Sequence, residues 1–358
     1  MHAPHHLALI ALLLAAGSAQ AQSVTIYGIA DLAVEHLTRV NAAGDSIQRM
    51  PNLSGSVPSR LGLRGSEDLG GGLRAIFQLE SGIGMDTGGL GNGGRFWGRM
   101  AFVGLSGPWG TLSVGRMANM TFAAAGIETL GGNLYSNASL DPYIPNARSD
   151  NSIGYQGQLG AFSLGATYSL GRDTVNGLGP AATNCAGESA DSKACRQWTV
   201  MVRYDSKPYG LALVHDRMHG GPGATMGLGS SAYTDTRKTI NGYLMLGQTK
   251  LTAGALLRER RTATTFESTL LFAGASHPLS PQLTLDAQLS RLDVKSSADD
   301  AQLLAARLVY ALSKRSAVYA MAGQMRNRGR SALSLSAGAT VGMGMTQSGL
   351  AMGMRQVF

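Results

Sequence analysis

The chain has 358 residues, of which 44% are hydrophobic, and its 30 Lys and Arg against 22 Asp and Glu give a formal net charge of +8. Beyond the N-terminal region no stretch approaches 18 uninterrupted apolar residues, which excludes transmembrane helices. The basic residues are spread singly, with only Arg258, Arg260 and Arg261 clustered, which excludes a nucleic-acid patch.

From the start of the chain, Leu7 to Ala16 is an apolar run of the length of a signal-peptide core, and Ala19-Gln20-Ala21 offers a small-x-small cleavage site. Residues 1–21 are therefore expected to be a cleaved signal peptide, with the exported chain, 22–358, forming one domain. The segment before the apolar run carries His2, His5 and His6 but no Lys or Arg. After it the dominant signal is period-two alternation in short segments, the mark of half-buried strands. Leu73, Ala75, Phe77 and Leu79 alternate with Arg74, Ile76, Gln78 and Glu80. Phe162, Leu164, Ala166 and Tyr168 alternate with small and hydroxyl residues, and Leu283, Leu285, Ala287 and Leu289 with polar ones. An Arg or Lys on a lipid-facing wall near mid-bilayer costs about 2–4 kcal/mol, so the charged set is expected to face inward and to line a wet interior.

Strands are predicted near 24–38, 57–67, 72–84, 95–106, 110–117, 150–158, 161–171 and 197–206. The series continues near 209–217, 237–247, 250–260, 266–277, 282–293, 301–312, 315–326 and 346–358. That is sixteen, an even number, as bacterial single-chain barrels have. Short turns such as Asp68 to Gly71, Lys207-Pro208 and Ser313-Lys314 alternate with longer connections at 39–56, 85–94, 118–149, 172–196, 218–236 and 327–345. Short turns at one end and long loops at the other describe an all-β, transmembrane antiparallel β-barrel. The 49 Gly scattered through strands as well as loops suit a wall whose backbone groups are all paired around a closed ring. A soluble β-sandwich would share the strand spacing, but would not need charged residues on the face opposite the apolar one sixteen times over.

Cys185 and Cys195, ten apart in an exported chain, suggest a disulfide closing a surface loop. No metal or cofactor site is expected. Gly89 to Gly94 satisfies G-x-G-x-x-G, but a strand start follows where a dinucleotide fold needs a helix. His215 and His219 lack the glutamate of a zinc-binding helix, and no nucleophile elbow occurs. An outer-membrane hydrolase would need a catalytic set at the rim that the sequence does not offer. A barrel-anchored adhesin or receptor would use the loops 172–196 and 218–236, which lack aromatic or Arg anchors.

Val24 to Asp31, Ser59 to Leu73, Phe77 to Gly82, Phe102 to Gly107, Gly115-Arg116 and the closing Gly353 to Phe358 occur in an order that resembles the betaproteobacterial general porins. The resemblance implies a homotrimer of sixteen-stranded outer-membrane barrels, passive diffusion of small hydrophilic solutes and ions, and no catalytic group. It also implies a terminal Phe358 read by the barrel-assembly machinery, with outer-membrane lipid and lipopolysaccharide as surroundings. Its third long loop, here 118–149, folds into the channel as a constriction. In that family wall arginines oppose loop carboxylates. The matching wall positions are Arg60 and Arg99, with Arg148 at the loop's end, Arg64 and Arg74 extending the ladder, and Glu128 and Asp141 as the loop acids. Acids so sparse, with a basic balance, lead us to expect an anion-preferring channel.

Overall fold

The alternating segments form seventeen strands in one antiparallel sheet that closes on itself, β1 pairing with β17. They are β1 (Ser23–Leu37), β2 (Ile47–Arg49), β3 (Arg60–Gly70), β4 (Leu73–Gly82), β5 (Met100–Gly107) and β6 (Gly110–Ala118). Next come β7 (Arg148–Leu159), β8 (Phe162–Ser169), β9 (Gln197–Asp205), β10 (Tyr209–His219), β11 (Thr234–Leu246) and β12 (Thr249–Arg261). The ring is completed by β13 (Thr265–Pro278), β14 (Leu283–Val294), β15 (Ala301–Ala311), β16 (Ser316–Asn327) and β17 (Thr346–Val357). In this computed structural model residues 23–51, 56–131, 134–173 and 183–358 are described, so the expected signal peptide lies outside them. Sixteen strands make the barrel. The three-residue β2 was not expected; it lies in the first long loop and pairs with Glu35 to Leu37 of β1.

Two strands start three or more residues later than the sequence reading, each for a local reason. The second barrel strand begins at Arg60 and not at 57, because the backbone N–H groups of Ser56 and Val57 are spent on the Asp31 carboxylate, at 3.0 and 2.9 Å, and Pro58 has none to give. The fourth begins at Met100 and not at 95. A turn at Gly91–Gly94 precedes it, with Asn92 and Gly93 at φ 54° and 77°, and the Gly98 carbonyl is taken by Arg116 Nε at 2.8 Å. No helix follows the glycine motif, which is loop.

Adjacent residues show how the strands divide their solvents. Leu270 is 1% exposed and Leu271 50%; Leu303 is 1% and Leu304 57%. Odd and even positions point to opposite faces of a strand, so the exposed leucines form the outer, lipid-facing wall and their neighbours point into the barrel. The interior is not uniformly polar, contrary to expectation. On β12 to β16 the inward residues Leu256, Leu270, Leu292, Leu303 and Met321 are buried and belong to one cluster. They are covered by the third long loop, which runs from Asn119 to Ala147 between β6 and β7.

That loop follows the inner wall as the resemblance implied. It opens with a short helix, α1 (Met120–Ala125), capped by the Asn119 side chain, which accepts from the N–H groups of Thr121 and Phe122 at 3.1 and 3.3 Å. Met120, Ala124 and Ile127 pack on Met201, Ala212 and Val214 of β9 and β10. Further on, Leu130 N–H donates to Gln288 of β14 and Tyr135 OH to Glu35 of β1, at 3.3 and 3.2 Å. The last long connection also turns inward, which the sequence reading did not anticipate. Leu335 is buried against Leu134 and Tyr135, and its carbonyl accepts from Ser139 Oγ at 2.7 Å.

Candidate functional site

The inner loop covers the wall from β8 around to β17 and leaves β3 to β5 facing open space. There period-two alternation puts Arg60 and Arg64 of β3 and Gln78 and Glu80 of β4 on the inward face. Glu80 is the centre of this cluster. Arg99 Nε donates to its Oε1 at 2.6 Å, Arg60 Nε lies 3.7 Å from its Oε2, and Tyr27 OH donates to the same oxygen at 2.9 Å. Gln78 Nε2 donates to Tyr27 OH at 2.6 Å, and the Arg64 guanidinium lies 5.3 Å from the Tyr27 ring centroid. One carboxylate thus faces two arginines, and Arg64 adds a third cation with no carboxylate at ion-pair distance among the described residues.

The other expected residues separate. Arg148 opens β7 and is 1% exposed. Its Nη1 donates to the Pro145 carbonyl at 2.8 Å, its guanidinium lies 4.4 Å from the centroid of the Phe122 ring, and its Nε and Nη2 find no partner within the protein. It braces the end of the inner loop and adds positive charge near Arg60 and Arg99. Arg74 is exposed near the β3–β4 turn, opposite Asp68. It stands at the mouth of the short-turn end, away from the narrowing.

Glu128 and Asp141 do not oppose the wall arginines with free charge, which corrects the sequence reading. A lone carboxylate in a loop docked on a wall must be neutralised or satisfied there. Asp141 is buried and takes two hydrogen bonds from Arg237 of β11, from Nε at 2.8 Å and Nη2 at 3.3 Å. Burial alone would raise its pKa, but Arg237 and Arg258 outweigh that and hold it below the usual carboxylate range. Arg237 also reaches Asp235 at 3.3 Å, and Arg258 reaches Asp235 at 2.6 Å. Beside them Tyr143 OH donates to Asp216 at 2.5 Å and accepts from Gln197 at 2.6 Å. This network bolts the loop to β9, β10 and β11.

Glu128 has no ion pair among the described residues. It lines a cavity of about 10 Å³ with Asn137, Thr239 and Asn241, and apolar side chains such as Ile144, Leu256, Leu270 and Phe272 close it. Burial pushes the Glu128 carboxyl up to about 8, and the neighbouring Asn137 side chain offsets only part of that. It is therefore mostly uncharged at neutral pH. The cavity is also lined by an Asn137 Nδ2, an Asn241 Oδ1, a Thr239 Oγ1 and a Glu128 Oε2 that find no partner within the protein. Their donor and acceptor mix complements a single water molecule.

Sequence reasoning missed three further inward cations. Lys250 of β12, whose Nζ lies 3.5 Å from the Ile127 carbonyl, and Arg355 of β17, whose Nη1 donates to Ser56 Oγ at 3.2 Å, have no carboxylate at ion-pair distance among the described residues. Arg307 of β15 is instead held by Asp286, at 2.7 Å. Their inward parity was the available signal. The inward carboxylates are otherwise occupied: Asp31 by Ser56, Val57 and Tyr319, Glu35 by Arg49 and Ser336, and Asp150 by Arg95 and Arg116.

Above the inner loop, on the long-loop side, lies a vestibule of about 910 Å³. Arg99 borders it on the β5 side, and Leu256, Phe266, Leu270 and Leu292 on the β12–β14 side. In the loop after β8, Cys185 and Cys195 are bonded, with Cα atoms 5.2 Å apart. The bond joins a loop that also reaches the next one, Cys195 N–H donating to the Gly220 carbonyl at 2.8 Å. At the barrel seam Phe358 exchanges two backbone hydrogen bonds with Gly28, at 3.0 and 3.1 Å. A Cβ on Gly28 would stand 2.4 Å from the Phe358 ring, so only glycine leaves the ring its place. Among the described residues no group of three or more His, Cys, Asp or Glu could hold a metal.

Comparison with known proteins adds to this geometry. The sequence pattern of a family described as Gram-negative porin matches residues 8–330. Outer membrane porin protein 32 of Delftia acidovorans is 31% identical over 367 residues, covering 98% of both chains. An outer membrane porin protein of Bordetella pertussis is 34% identical over 221 residues, covering 57% of this chain and 56% of its own. Among solved structures, an anion-selective porin from Comamonas acidovorans superposes with a TM-score of 0.75 at 26% identity, over 94% of this chain and 100% of the other.

Proposed function

Because this chain belongs to the Gram-negative porin family and is a passive outer-membrane channel, we propose that it prefers anions and that Arg60, Arg64, Arg99, Lys250 and Arg355 set that preference. One observation carries the reading. The lumen's carboxylates are engaged, Asp141 of the inner loop included, and Glu128 is buried and mostly uncharged, while Arg64, Lys250 and Arg355 keep their charge for solutes. A unit charge about 10 Å from an ion contributes about 0.4 kcal/mol even in water, so three such cations give about tenfold enrichment of anions, reduced by salt. The anion selectivity of the similar Comamonas acidovorans porin supports the same sign.

Arg60 and Arg99 contribute less, since they share Glu80. Arg148 contributes as a fixed charge behind the loop, Arg74 at the mouth, and Glu128 and Asp141 hold the loop in place. No group in the lumen is asked to do chemistry. The mature chain begins at Gln22, works as a homotrimer, and uses Phe358 as the signal read during assembly. A potassium chloride gradient across a planar bilayer tests the central statement. A reversal potential of the sign set by chloride is expected, and one set by potassium would overturn it.

A further inference from the structure

The vestibule's two sides differ in chemistry. Arg99 precedes β5, the fourth barrel strand, and Phe266 and Leu270 lie on β13, the twelfth. Eight positions apart in a ring of sixteen, they stand on opposite walls. On the first wall Glu80 takes Arg99 Nε, while no hydrogen bond within the described residues occupies the two terminal guanidinium nitrogens. On the second, Leu256, Phe266, Leu270 and Leu292 are joined by Leu333 of the last loop, folded in above them. Arg258 borders the same space, with Nε and Nη2 on Asp235 and its guanidinium 5.7 Å from the Phe266 ring centroid.

We propose that this vestibule is a binding site for carboxylates that carry an apolar body, aromatic or branched aliphatic. The carboxylate lies toward Arg258, whose guanidinium is 5.7 Å from the Phe266 ring centroid, and the body against the Leu256–Phe266–Leu292 wall, while Arg99 adds positive charge from across the vestibule. A small inorganic anion uses only the arginines. A neutral apolar molecule uses only the leucines and leaves the guanidinium nitrogens unmatched. Only a solute with both parts satisfies Arg258 and the adjoining leucines at once, and the cavity, at about 910 Å³, has room for a ring and its carboxylate together. The site would load such solutes before the narrowing, turning a general anion channel into one that enriches amphipathic acids. The proposal rests on the anion-preferring reading and names a solute class within it.

Bilayers holding the full mature chain test it, with sodium benzoate, sodium acetate or benzamide added to a potassium chloride bath. Benzoate is expected to reduce the open-channel current at about tenfold lower concentration than acetate, and benzamide to have little effect. Phe266→Ser and Leu333→Ser, both only half-buried, should bring benzoate toward acetate. Equal potency of benzoate and acetate would overturn the proposal. So would benzamide acting as well as benzoate, or a benzoate advantage that survives both substitutions. The chloride reversal potential, read in the same membranes, keeps the two ideas apart. Anion preference without a benzoate advantage sinks only this inference, whereas potassium preference sinks the reading beneath it.

Discussion

The inner wall of β3 to β5 and that of β12 to β16 are built from the same period-two strands, yet they end in opposite conditions. On the first, Arg64 is exposed beside the Arg60–Glu80 pair; on the second, Leu256, Leu270, Leu303 and Met321 are packed beneath a loop. The difference teaches that alternation decides which residues leave the lipid, and not what they meet inside. The loop settles that by lying on the apolar wall, where contact with leucine removes water, and by avoiding the wall whose arginines need it.

The comparison breaks most severely if the apolar wall is made polar. Leu270→Asp puts a carboxylate under the loop with no cation waiting for it. We expect a loss of more than about 4 kcal/mol of barrel stability, read by urea titration in lipid vesicles, and noisy, enlarged channel openings. A stable, quiet channel would show that the loop does not depend on this wall. Asp141→Asn removes the loop's charged bolt and leaves Arg237 with Asp235 alone. A cost of about 3 kcal/mol and closure at lower voltage are the expected outcome.

A third test uses pH. Glu128 titrates near its ordinary value when unfolded and near about 8 when folded, so its protonated form favours the docked loop. Stability from this group is fully present below the unfolded pKa and is lost progressively as pH rises from there to about 8. Glu128→Gln should therefore match the native chain near pH 4 and exceed it at about pH 6, by on the order of 2 kcal/mol. The same stability difference at both pH values would show that Glu128 keeps its charge in the folded loop. The smallest effect sharpens the comparison from the cationic side. Arg64→Glu changes the lumen charge by two units in exposed space, and at about 0.4 kcal/mol per unit, of opposite sign for the two ions, the anion-to-cation permeability ratio should fall about fifteenfold without loss of stability. An unmoved reversal potential would remove Arg64 from the selectivity set.

Much of this was legible beforehand. The sixteen barrel strands, the short turns and the pairing of Cys185 with Cys195 follow from signals close together in the chain, and the infolded third loop from the porin resemblance. Arg60 and Arg99 were expected because they match the wall arginines of the porin family, and Arg64 because strand parity turns it inward. The partners of Glu128 and Asp141 were not legible. Arg237 is 96 residues from Asp141, on the inward face of an ordinary strand, with nothing local to signal the pairing. The infolding of the last loop was hidden for the same reason, since Leu335 finds Ser139 at a separation of 196 residues.

The sequence by itself determined which residues form strands and which side of each faces hydrocarbon, because a two-residue period is fixed by the neighbouring backbone alone. Only the tertiary structure decided which inward residues keep their water. That depends on the path of one loop across the inner wall, and so on contacts between residues far apart in the chain, which no local pattern encodes.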